Sequence, residues 1–238
     1  MNRLVALFFV SGAAGLIYES IWSRELHRIF GTSQFAIATV LAAFMTGLAL
    51  GGTLGAKYAH LAPKPLRTYA VLEAFIGLFA LIFPFLMHGI EPLYLWFWST
   101  FQPGVVAFGV FQFVVLGLVL LLPTACMGAT LPLLIQLLTD RAQGSATGRL
   151  YAVNTAGAVF GTWLAGFWLL PTLGVQGTTW LAAATNVLLA VVAWRLDAIL
   201  AIESSWAEHT TDPIGVPAYV PAIDPPEPNA KALTPAPP

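Results

Sequence analysis

Apolar stretches recur along this chain at 4–22, 35–56, 69–88, 105–122 with a continuation to 138, 150–170 and 177–194, separated by short polar segments. Each is close to the roughly 20 residues that carry a helix across the hydrocarbon core of a bilayer, so the pattern predicts an all-α, polytopic membrane bundle. The first stretch has some features of a secretory leader: Arg3 precedes an apolar run, and Ser11-Gly12-Ala13 is a small-residue cleavage pattern. The apolar character continues past that point through Leu16, Ile17 and Trp22, so a retained anchor is expected.

Residues 105–138 are too long for one straight span at about 1.5 Å per residue, and Pro123 and Pro132 interrupt them. Basic residues decide between one kinked span and two. With one span, Arg3, Lys57, Lys64, Arg67, Arg141, Arg149, Arg195 and Lys231 fall on one side and only Arg24 and Arg28 on the other. With two spans that bias disappears, and basic residues collect on the cytoplasmic side. About six spans in a cell (inner) membrane, with both termini cytoplasmic, are therefore expected. The transmembrane domain takes 1–200. Over 201–238 prolines become frequent and large apolar residues scarce, which predicts a disordered or extended tail.

Small residues form ladders at four-residue steps. Thr39, Ala43, Gly47, Gly51 and Gly55 lie on the second stretch, and Gly157, Gly161 and Ala165 on the fifth. Such ladders let helix backbones approach closely, and in lipid that packing drives association.

Composition agrees and narrows the function classes. Of 238 residues, 58% are hydrophobic and 9% charged, against roughly 25% charged in soluble domains. A net charge of −1 offers nucleic acid no basic surface. With the single Cys126 there is no internal disulfide or cysteine-rich metal site, and His27, His60, His88 and His209 lack ligand spacing. No cofactor is expected. No phosphate loop, GxSxG elbow or HExxH sequence is present, and Gly51–Gly55 lies in an apolar helix, so no residue is assigned a catalytic role.

The candidate chemistry is the polarity inside the spans. Glu19, within 11–28, shares a helix face with Gly12, Gly15, Trp22 and Ser23; Glu73 lies in the third stretch. Intramembrane carboxylates mark functional sites by default and commonly pair with other groups. Glu19 either pairs with Arg24, in an outward cluster with Glu25 and Arg28, or lines a polar path. Glu73 either pairs with Arg67 or Arg149 or attracts a cation. Tyr18, Tyr151 and Asn154 are candidates for orienting a ligand, and Asn154 and Asn186 for bridging helices.

The motifs SGAAGLIYESIWSREL, FMTGLALGGTLGA, TYAVLEAFIGLFAL, LLPTACMGATLPLL and GRLYAVNTAGAVFGTWLAGFWLLPTLG occur in this order. Together they resemble the membrane region of the fused major-facilitator-like/spermidine synthase proteins, over about residues 4–194. The resemblance implies half of a facilitator-like unit. In that family the membrane region commonly precedes an aminopropyltransferase-like domain with a GGGDG-like loop. The residues after Glu203 contain no such loop, so no transferase role is carried onto this chain. Ala59-His60-Leu61 stands where the facilitator signature has Ala-Asp-Arg. Three readings follow: a module that binds or passes a small amine or cation, or anchors a soluble synthase-like protein; a structural subunit of a larger membrane complex; and the anchor of a polyamine aminopropyltransferase.

Overall fold

The computed structural model describes residues 2–30, 34–137 and 143–209. Six helices, α1 (Asn2–Phe30), α2 (Gln34–Tyr58), α3 (Pro65–Phe101), α4 (Val105–Ile135), α5 (Gln143–Leu164) and α6 (Leu170–His209), account for nearly all of them. No strand occurs among the described residues. Residues 1–198 form one compact unit and 199–238 a second. Of the second, the helical residues 199–209 are described, and the proline-rich stretch that follows lies outside the described residues.

Five stretches are long and apolar enough to cross a membrane: Arg3–His27, Ile37–Leu61, Pro65–Phe101, Val105–Ile135 and Thr147–Leu200. An all-helical chain suits that environment because each helix satisfies its own backbone hydrogen bonds. Within 105–138, Val105–Ile135 form one helix, with Pro123 and Pro132 inside it. The third stretch corrects the sequence boundary of 69–88, since α3 continues through Pro84 and Pro92 to Phe101. Its extension is held against α4 by rings: Phe97 stacks on Phe111 at 3.9 Å, and Tyr94 and Trp98 meet Phe108 edge-on. Gln102 then ends α3 in the left-handed region (φ 41°), just before Pro103.

Close contacts give the helix directions. Ser11 meets Glu73 and Trp22 meets Phe83, so α1 and α3 run the same way. Phe9 lies against Gly157 and Ala13 against Gly161, which makes α5 parallel to α1. In the same manner Gly47, Gly51 and Gly55 of α2 face Thr124, Ala125 and Ala129 of α4. Against α3 the order in α6 is inverted, because Asp197 meets Arg67 and Asn186 meets Glu73. The last apolar stretch therefore reverses between α5 and the body of α6. It does so at Gly174, after a π-helical turn at Ala165–Leu169; φ 66° and ψ −177° at Gly174 break the helix. That backbone region is essentially restricted to glycine. These directions place Arg3, Lys57, Lys64, Arg67, Arg149 and Arg195 at one end of the bundle and Arg24 at the other.

Candidate functional site

Glu73 is fully buried where α1, α3 and α6 meet. Ser11 on α1 donates its hydroxyl to one carboxylate oxygen at 2.6 Å, and Asn186 on α6 donates its amide to the other at 2.7 Å. Tyr18 extends the chain by donating to the Asn186 side-chain oxygen at 3.1 Å. The Tyr69 hydroxyl, one turn before Glu73, adjoins the same carboxylate without a hydrogen bond of normal geometry. Local sequence explains the convergence. Tyr69, Glu73 and Gly77 share a face of α3 at four-residue steps. At Gly77 an added Cβ would come within 3.1 Å of the Asn186 Cβ and 3.2 Å of the Ala183 carbonyl oxygen, so the missing side chain is what lets α6 close on the carboxylate.

Around this polar joint the bundle is apolar and aromatic. Trp22 is fully buried between Tyr18, Phe44, Phe79 and Phe83. Toward the end of the bundle that carries Arg24, α1, α3 and α6 enclose a cavity of about 510 Å³ whose walls include Trp22, Glu25, Phe83, His88, Thr179 and Trp180.

The sequence candidates separate. Tyr18 joins the Glu73 cluster through Asn186, and Asn186 bridges helices as expected. Glu73 pairs with neither Arg67 nor Arg149. Arg67 lies six residues earlier, which turns it about 120° away around the helix; its guanidinium instead bonds Asp197 at 2.6 Å and lies over the Trp194 ring. Glu19 is half-buried, eight residues and about 12 Å along α1 from Ser11. It forms no salt bridge with Arg24, which is exposed, while Glu25 is buried on the cavity wall; the side chain of Arg28 lies outside the described residues. Of the expected outward cluster, Arg24 is thus exposed and Glu25 buried. Asn154 packs against Gly12 on the α1–α5 contact. Tyr151 is 62% exposed and faces out of the bundle. The face containing Gly12 and Gly15 is also shared, as Gly12 lies on α5 and Gly15 approaches Met127 of α4.

Comparison with protein-family profiles, characterised proteins and solved structures gives no match. Ser11 and Tyr69 were the residues missed. Ser11 is one small residue in an α1 ladder of small residues, and Tyr69 is distinguished only by its four-residue spacing to Glu73.

Proposed function

We propose that this chain is a six-crossing membrane module, half of a facilitator-like unit in outline, that binds and passes a small amine or other cationic solute with Glu73 as the acceptor of positive charge. The observation that carries this reading is a carboxylate at membrane depth held by two neutral donors, Ser11 and Asn186, beside the Tyr69 hydroxyl, with no basic side chain against it among the described residues. A cation displacing either donor gains a carboxylate oxygen already held in place. Tyr18 and Asn186 supply the neighbouring oxygens.

Six crossings are supported by the reversal at Gly174, and a cytoplasmic position for both termini by the basic residues gathered at one end of the bundle. The membrane motifs quoted above extend the proposal to a relationship with the fused synthase proteins, with a synthase-like soluble protein as the partner that relationship implies. A role as an assembly subunit has less support. The glycine faces that would engage another subunit are filled inside this chain, Gly47, Gly51 and Gly55 by α4 and Gly157 and Gly161 by α1.

The test is equilibrium binding of radiolabelled methylammonium to the detergent-purified chain. Saturable binding is expected in the native protein, with affinity falling about tenfold or more in Glu73→Gln, since a desolvated charge pair is replaced by a neutral contact. Equal affinity in the two proteins removes Glu73 from the site.

A further inference from the structure

The seam between α3 and α6 is open on its outer side. Ala70 on α3 and Ala190 on α6 are buried and form the floor of a groove, whose walls Val71, Val187, Val191 and Trp194 are about half exposed, from 56% at Val71 to 48% at Trp194. On α6 these residues recur at three- and four-residue steps, so one face of the helix sets bulky side chains around a single methyl. Past Val187 the groove continues to Ala183 and Trp180 on α6 and to Leu81 on α3. From Ala183 to Trp194 is eleven residues, about 17 Å of helix and close to half of a hydrocarbon core of about 30 Å. The groove therefore has the reach of one acyl chain in one leaflet. Charge lies at one end only. Arg195 lines the groove there, is exposed and has no ion pair among the described residues. Arg67 lies over the Trp194 ring, with its charge offset by Asp197. Lys64, at the start of α3, is exposed at the same end, so three cations stand against one carboxylate. The rest of the lining is apolar.

We infer that this groove holds one anionic phospholipid, with an acyl chain along α3 and α6 and the phosphate at Arg195. Lipid tails are as apolar as the groove, so its walls alone retain no particular lipid. The headgroup charge selects. A guanidinium pairs with phosphate oxygens through charge-assisted hydrogen bonds, and basic residues between membrane helices recognise such headgroups at the interface. A zwitterionic headgroup would bring an ammonium to a place already in excess of positive charge, and a free phosphate would leave the apolar length unused. The bound chain covers the outside of the seam where α6 closes on the carboxylate, since Asn186 lies between Ala183 and Val187. The site rests on no part of the Glu73 reading.

Native mass spectrometry of the full chain in detergent, titrated with equimolar phosphatidylglycerol and phosphatidylethanolamine of identical chains, tests this. Preferential retention of one phosphatidylglycerol is expected. Arg195→Gln is expected to reduce that preference about fivefold, the effect of one basic residue beside anionic headgroups, and Arg195→Lys to keep most of it. Ala74→Trp fills the groove from an exposed position and is expected to lower retention of both lipids. Lys57→Gln removes an exposed charge at the same end of the bundle but outside the groove, and is expected to leave the preference intact. Equal retention of the two lipids by the native chain, a preference unchanged in Arg195→Gln, or one lost equally in Lys57→Gln overturns the inference. So does a lipid-free dimer that Ala74→Trp converts to monomer, which would give the groove to a second copy of this chain.

Discussion

Gly51→Ala is expected to prevent α2 and α4 from closing, giving a protein that is recovered poorly and unfolds at lower temperature than the native chain. An added Cβ at Gly51 would overlap the Ala125 backbone, and the obstruction is a main chain, which has no alternative rotamer. Gly47, opposite Thr124, and Gly128, opposite Leu48, lock the same seam, so the two helices cannot slide apart locally to make room. Overpacking of this kind costs roughly 1–3 kcal/mol where side chains can yield, and a clash with backbone belongs at or above the upper end. Neighbouring glycines serve as internal controls. At Gly52 the nearest atom lies 3.7 Å from the added Cβ, and at Gly117 nothing lies within 4 Å. Gly117→Ala is expected to be neutral or to stabilise by up to about 1 kcal/mol, the helix-propensity difference. Thermal unfolding in detergent compares the three variants; equal midpoints for Gly51→Ala and Gly52→Ala would mean that the α2–α4 contact is not this close.

Glu73→Ala is expected to be the most destabilising single change in the polar joint. It removes both acceptors at once and leaves the buried Asn186 amide and the half-buried Ser11 hydroxyl without these partners. Hydrogen bonds between membrane helices average only about 0.6 kcal/mol, but stranded buried donors cost about 1–3 kcal/mol each. A loss on the order of 2–4 kcal/mol follows from those donors. Glu73→Gln retains one acceptor and is expected to lose less than half as much. Asn186→Leu, combined with Glu73→Ala in a double-mutant cycle, measures the coupling directly. Additive effects would show that the two side chains do not depend on each other.

How far each feature was legible follows from how local its cause is. The α2 and α5 ladders were readable because a four-residue repeat of small side chains reports a helix seam within one stretch of chain. The single α4 was readable from basic residues on either side of it. The partner of Glu73 was not, because Asn186 is 113 residues away and reaches it only through the reversal after α5. Arg67 looked the nearer partner along the chain, yet it points away around the helix and finds Asp197. Tyr151 was assigned inward on polarity alone, whereas the inward face of α5 is set by Gly157 and Gly161, and Tyr151 lies about 120° from Gly157. The length of α3 escaped for a different reason. Its last turns are held by ring contacts with α4, which hydropathy does not register.

Glu73, rather than Glu19, is the carboxylate proposed to receive a cation. Uptake of methylammonium into proteoliposomes containing the native chain, Glu73→Gln and Glu19→Gln tests that most directly. Saturable uptake that is lost in Glu73→Gln and retained in Glu19→Gln is the predicted result; uptake by Glu73→Gln at the native rate would contradict it.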